Sequence, residues 1–192
     1  MTISYRKISL LSVLALLTAC AQNPEIPQLK SEVGQLNQKL QSLTNQASAL
    51  EQQSSLNRMS DQGVYLLPAA NSGARLKTSI GELSISLSHI SPEANGTQAL
   101  LHIRALSQAQ LPAFTATVDW GEVDPATGKP LTIDMLSQPI SVSTSLLPKT
   151  EETIELRFSG LTPEQLGFIR LHHVVPVSAS TDSATASSPV MN

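Results

Sequence analysis

Hydrophobic positions along this chain follow two different periods, and the change of period divides it. Ile26, Leu29, Val33, Leu36, Leu40, Leu43, Ala47 and Leu50 recur at alternating steps of three and four. Placing Ile26 at heptad position a puts Val33, Leu40 and Ala47 at a as well, and Leu29, Leu36, Leu43 and Leu50 at d. More than three unbroken heptads predict a coiled-coil helix. The stretch is rich in Gln, Asn, Ser and Lys and lacks aromatics, so only a narrow seam is apolar. Asn23 and Pro24 are placed to start the helix, with Pro27 able to delay it by a turn, and Asp61-Gln62-Gly63 to end it. A helical stalk over 26–60 follows, about 50 Å long at 1.5 Å per residue. Gly34, at an outer position, costs about 1 kcal/mol against alanine. The same stripe is compatible with self-association or with docking on the chain's own head or another protein. β-branched Ile26 and Val33 at a, with leucine at d, lean towards a parallel dimer; Leu40 and Ala47 weaken that preference.

From Gly63 the period becomes two. Leu83, Ile85 and Leu87 alternate with Ser84, Ser86 and Ser88, and Phe114, Ala116, Val118 and Trp120 alternate with Thr115, Thr117 and Asp119. Ile140 and Val142 alternate with serines, and Ile154, Leu156 and Phe158 with Glu155 and Arg157. Ala99–Ala105 reads as a more buried strand after an Asn95-Gly96 turn. Asp124–Gly128 closes another turn, a short helical turn falls at Thr162–Leu166, and Phe168–Val177 is the last strand. Alternating strands broken by Gly, Pro and Asn predict a mainly β domain over 63–177, an antiparallel immunoglobulin-like β-sandwich. Tyr65, Phe114, Trp120, Phe158 and Phe168 all fall in this segment, which places the core there, with Phe114 and Trp120 inside. Residues 178–192 are Ser, Thr and Ala with little to bury and predict a disordered tail.

The start of the chain changes the picture from fold to place. Tyr5-Arg6-Lys7 precedes an apolar run from Ile8 to Leu17. Ten helical residues rise only about 15 Å, roughly half a bilayer's hydrocarbon core, so a signal peptide at 1–19 is expected and not a span. Leu17-Thr18-Ala19-Cys20 resembles a bacterial lipobox, which makes Cys20 the expected lipid-attachment residue and 20–25 the lipidated N-terminus. Cys20 is the single cysteine, so no intrachain disulfide holds the head. Stable anchoring takes more than one acyl chain, and lipoproteins of this pattern carry two or three. Ala21 in place of an aspartate implies, by resemblance to enterobacterial sorting, an outer-membrane location facing the periplasm.

Charge narrows the partners. Lys plus Arg is 12 against 15 for Asp plus Glu, and Arg6 and Lys7 leave with the signal. An acidic mature chain without a basic run disfavours nucleic acid and anionic headgroups. The segments at 28–53, 63–87, 111–123 (LPAFTATVDWGEV) and 161–177 (LTPEQLGFIRLHHVVPV) resemble the YajI family of enterobacterial lipoproteins. That resemblance implies an envelope location and one domain after a stalk. It brings no catalytic or binding residues with it. The tail after Ser178 is longer than the family pattern needs, and it lacks the terminal lysine of the peptidoglycan-linked heptad lipoprotein.

Catalytic and metal chemistry find little support in the sequence. His172 and His173 are adjacent on a strand, so they face opposite ways and cannot share one ion without a bulge. His89 and His102 lie on separate strands and could meet across the sheet. No G-x-S-x-G elbow or phosphate-binding glycine loop occurs, and the Ser84/Ser86/Ser88 row reads as a wet sheet face. Glu151-Glu152 is expected to cap a turn. Asn95-Gly96-Thr97 matches a sequon that the turn explains. The expectation is a non-enzymatic, lipid-anchored envelope protein with a structural or adaptor role and no cofactor. The alternative is a periplasmic binding module for a peptide, glycan or outer-membrane assembly partner.

Overall fold

A computed structural model describes residues 25–58 and 62–177 of the chain, with side chains from Gln28 onward. The expected signal peptide at 1–19, Cys20 with its lipidated segment, and the tail at 178–192 lie outside these residues, as does the side chain of Ile26. The chain divides into two compact units, residues 1–44 and 45–192.

One helix, α1 (Glu25–Arg58), carries the heptad stripe. It begins one residue before Ile26, and Pro27 does not delay it. A proline in the first turn costs no hydrogen bond, because the first four N–H groups of a helix have no partner within it. In the first unit, Leu29, Val33, Leu36, Leu40 and Leu43 are all more than half exposed.

The second unit is mainly β, built from eight strands. They are β1 (Val64–Leu66), β2 (Ala74–Thr78), β3 (Gly81–Glu93), β4 (Gly96–Ala105), β5 (Phe114–Gly121), β6 (Leu136–Val142), β7 (Glu151–Ser159) and β8 (Phe168–Pro176). They form two four-stranded antiparallel sheets, ordered β1-β8-β5-β6 and β2-β3-β4-β7. One core joins them: Leu83, Ile85, Leu101, Ile103, Leu156 and Phe158 from one sheet meet Phe114, Val118, Trp120, Ile169 and Leu171 from the other. The period-two alternation read from the sequence is the alternation between this core and solvent. Phe114 and Trp120 are buried as expected, and Trp120 packs at a tilt on Phe158 with ring centroids 5.4 Å apart. The short strands β1 and β2, and a 3-10 turn at Pro68–Ala70, complete the set.

Three local expectations need correction. The β3–β4 hairpin turns on Ala94-Asn95, one residue earlier than Asn95-Gly96, and Gly96 already pairs with Glu93. Gly96 is needed for a different reason, since an added Cβ would lie 2.1 Å from the Phe158 carbonyl oxygen. Residues 162–166 make a hydrogen-bonded turn on the Thr162 carbonyl instead of a helix. Glu151 caps no turn: it opens β7 and its carboxylate reaches His102.

Candidate functional site

The second unit also contains the last turns of α1, and these pack on the sheets by a face that the apolar stripe does not include. Ala49 joins Leu67, Ala70 and Phe168 in a small core, with Leu56, Tyr65, Val123 and Met135 around it. Polar side chains do the rest. Strand β1 is the outer strand of its sheet, so the main-chain groups of Tyr65 and Leu67 on the side away from β8 have no strand to pair with. Asn57 Oδ1 accepts the Tyr65 N–H at 2.7 Å while its Nδ2 donates to the Tyr65 carbonyl at 2.9 Å. Gln53 Oε1 accepts the Leu67 N–H at 2.7 Å, and its Nε2 donates to Ser72 Oγ and the Gly73 carbonyl. Gln53 is only 2% exposed. Two amides one helical turn apart thus act as a ninth strand and close an edge that would otherwise invite pairing.

With the docking face so assigned, the stripe stays free. In this unit Ala47 and Leu50 are exposed, while Gln46, Ala49, Gln53, Leu56 and Asn57 turn inward. Docking of the stripe on the chain's own head, one of the two uses the heptad allowed, does not occur at these positions. A helix that already has a polar and a small-residue contact keeps its leucines for another surface.

The outer face of the second sheet holds a polar relay. His102 Nδ1 lies 2.9 Å from Glu151 Oε1 and its Nε2 lies 2.7 Å from Ser88 Oγ, which also meets His89 Nδ1 at 2.9 Å. His89 and His102 therefore do meet across the sheet, through Ser88. The order carboxylate–imidazole–hydroxyl is that of a nucleophilic triad. Its setting argues for a structural network: the group sits on the open face of paired strands, whose N–H groups are committed to the ladder, and acyl transfer needs free donors for an oxyanion.

The adjacent histidines depart from the sequence reading. Between Thr115 and Thr117 the β5–β8 register shifts, pairing Thr115 with Val175 but Thr117 with His172. His173 takes a left-handed φ of 52° in this β-bulge. The bulge undoes the strand's alternation and brings His172 Nδ1 to 2.5 Å from His173 Nδ1. On its other side His172 Nε2 lies 2.7 Å from Asp119 Oδ2, off the hydrogen-bonding direction of the ring N–H. Ser137 donates to the second oxygen of Asp119, which is buried. Among the described residues, no group of three or more His, Cys, Asp or Glu side chains is placed to hold a metal ion.

A groove of about 370 Å³ opens beside β5, lined by Leu131, Ile133, Leu136 and Leu161 with Glu122 and Asp134. Ile133 is 90% exposed there. Among the described residues, no helix is long and apolar enough to cross a membrane.

Comparison with known proteins agrees with this architecture. The uncharacterized lipoprotein YajI of Escherichia coli K12 is 38% identical over 171 residues, 89% of this chain and 96% of that protein. The solution structure of the E. coli protein superposes with a TM-score of 0.65 at 36% identity, covering 74% of this chain and 84% of the other. The trimeric lipoprotein SadB of Salmonella enterica is 18% identical with a TM-score of 0.49, over 91% of this chain and 90% of its own, too distant to bear on assembly here. Residues 20–181 match the family described as protein of unknown function, DUF3251, and the chain belongs to that family.

Proposed function

We propose that this protein is a non-enzymatic structural or adaptor module of the bacterial envelope, held to a membrane by lipid on Cys20 and self-associating through α1. The similarity to lipoproteins over most of the chain supports the lipid anchor. The lipobox sequence and Ala21 favour Cys20 as the acylated residue and the outer membrane, facing the periplasm, as its place.

One observation carries the self-association. Leu29, Val33, Leu36, Leu40, Leu43 and Leu50 are 46–68% exposed although the helix already has a different face for the sheets. Six exposed branched apolar residues at heptad spacing lose burial that a partner helix would supply, at about 25 cal/mol per Å². A second copy of the same helix presents the matching seam, so a homo-oligomeric coiled coil is the reading. A photo-crosslinking residue at position 40 in growing cells tests it: adducts of this chain with itself are expected, and adducts only with another protein would replace self-association with an adaptor contact.

For the domain we infer an immunoglobulin-like class. Strands β4 and β7, and β5 and β8, pair as B with E and C with F do in that class, and β6 stands beside β5 as C′ beside C. The N-terminal β1 takes the place of the last strand.

A second reading, a binding module, is favoured by the groove at Leu131, Ile133, Leu136 and Leu161. Its occupant would be an apolar peptide segment, since aliphatic walls meet only two carboxylates at its rim. Crosslinking from position 133 separates the readings: a dominant heterologous adduct supports the binding module, and none excludes it.

A further inference from the structure

We propose that the β-bulge in β8 is a copper(II) site, with His172 Nδ1 and His173 Nδ1 as its two protein ligands and Asp119 as the group that orients His172. Three features of the bulge carry the assignment. Two imidazole nitrogens point at one another across 2.5 Å. Neutral imidazoles can hold that contact only by placing one proton between two lone pairs, so the pair is a site for one small cation. Two nitrogens bound at about 2.0 Å to one ion and about 90° apart stand roughly 2.8 Å from each other, the tetragonal arrangement that copper(II) favours. Opening the pair by a few tenths of an ångström is within reach, because His173 is exposed and its ring is free to swing.

The second feature is what lies behind His172. Metal-bound histidines commonly present their other ring nitrogen to a carboxylate, which fixes the tautomer and makes the binding nitrogen more basic. Asp119 Oδ2 stands 2.7 Å from His172 Nε2, is nearly buried, and is itself fixed by Ser137 Oγ at 2.8 Å. The carboxylate leaves Nδ1 as the outward nitrogen. A proton keeps its place on Nε2, and the ion displaces only the proton shared between the rings, which passes to solvent.

The third feature is space. Both rings line a cavity of about 270 Å³ together with Gln62, Lys77, Thr78 and Ser79. Waters and the Gln62 amide oxygen are the remaining ligands available there. Lys77 brings a positive charge to the same cavity, which the Asp119 carboxylate offsets. Two imidazoles with oxygen donors bind copper(II) ahead of nickel or zinc in the divalent series.

The bulge explains why the pair is not visible in the sequence. Neighbouring residues on a regular strand face opposite ways, and only a left-handed residue at His173 turns both rings to one side.

The test uses the full chain in detergent with Cys20→Ser, so that no thiol competes, titrated with copper(II) alone. One ion per chain is expected, with an electron paramagnetic resonance spectrum showing splitting from two nitrogens. His173→Asn keeps a residue that tolerates the left-handed conformation and should weaken binding about tenfold or more while leaving the melting temperature in place. Asp119→Asn should weaken it about 10–100-fold, and the double variant His89→Ala/His102→Ala should leave it unchanged. Equal binding by the parent and His173→Asn, loss in the His89/His102 variant instead, or no two-nitrogen spectrum would overturn the site.

Discussion

Asn57 pairs with Tyr65 as a neighbouring strand would, taking its N–H at 2.7 Å and giving a hydrogen to its carbonyl at 2.9 Å. Gln53, one turn earlier, repeats the move on Leu67. Removing either amide leaves a main-chain donor at the sheet edge without a partner. Gln53→Ala should cost about 1–3 kcal/mol, the penalty of an unsatisfied buried group, and Asn57→Ala a similar amount or less because Tyr65 is closer to water. Urea denaturation checks this. Leu36→Ala, on the exposed stripe, should change single-chain stability by less than about 0.5 kcal/mol; equal costs at positions 53 and 36 would contradict the assignment of faces.

Gly96 carries a prediction about space. A methyl group there would press on the Phe158 carbonyl at 2.1 Å, between the paired strands β4 and β7. Gly96→Ala should destabilise the domain by about 2 kcal/mol or more, whereas Gly34→Ala, with nothing near its added carbon, should stabilise α1 by up to about 1 kcal/mol. Thermal melts of the two variants should move in opposite directions.

Asp124 sets an acid limit of its own. Its carboxylate accepts the Ala126 N–H at 2.8 Å, and that bond, with help from Thr127, holds its pKa below the usual carboxylate range. A depressed folded pKa means that the contribution is complete above the unfolded value, about pH 4. It fades as pH falls through the lower, folded value. The stability difference between the wild type and Asp124→Ala should therefore be constant at neutral pH and shrink below about pH 4. A difference that grows on acidification would contradict the turn's geometry.

The sequence showed the elements whose chemistry is periodic. The leucine stripe at steps of three and four is one helix, and the alternation around Ile85, Trp120 and Phe158 is one core shared by two sheets. What stayed hidden depends on polar groups. Gln53 and Asn57 count as wet positions in any apolar pattern, yet Gln53 is buried because the main chain of an edge strand satisfies it. The bulges hid for a different reason. His89 and His173 both adopt φ of 52°, a conformation histidine tolerates better than most residues, but tolerance does not say where a strand will break register. The rule that adjacent histidines face apart held everywhere except at the break, where the candidate site lies.

The central claim is that α1 uses one face for its own domain and keeps another for a second copy of itself. The most direct measurement is the molar mass of the full chain carrying Cys20→Ser, by light scattering over a range of concentrations, beside the variant Leu36→Glu/Leu40→Glu. The account predicts a multiple of the 20.5 kDa chain mass for the parent and a single chain for the variant, with the same melting transition for the β domain in both. A parent protein that remains at one chain mass across the range would contradict it.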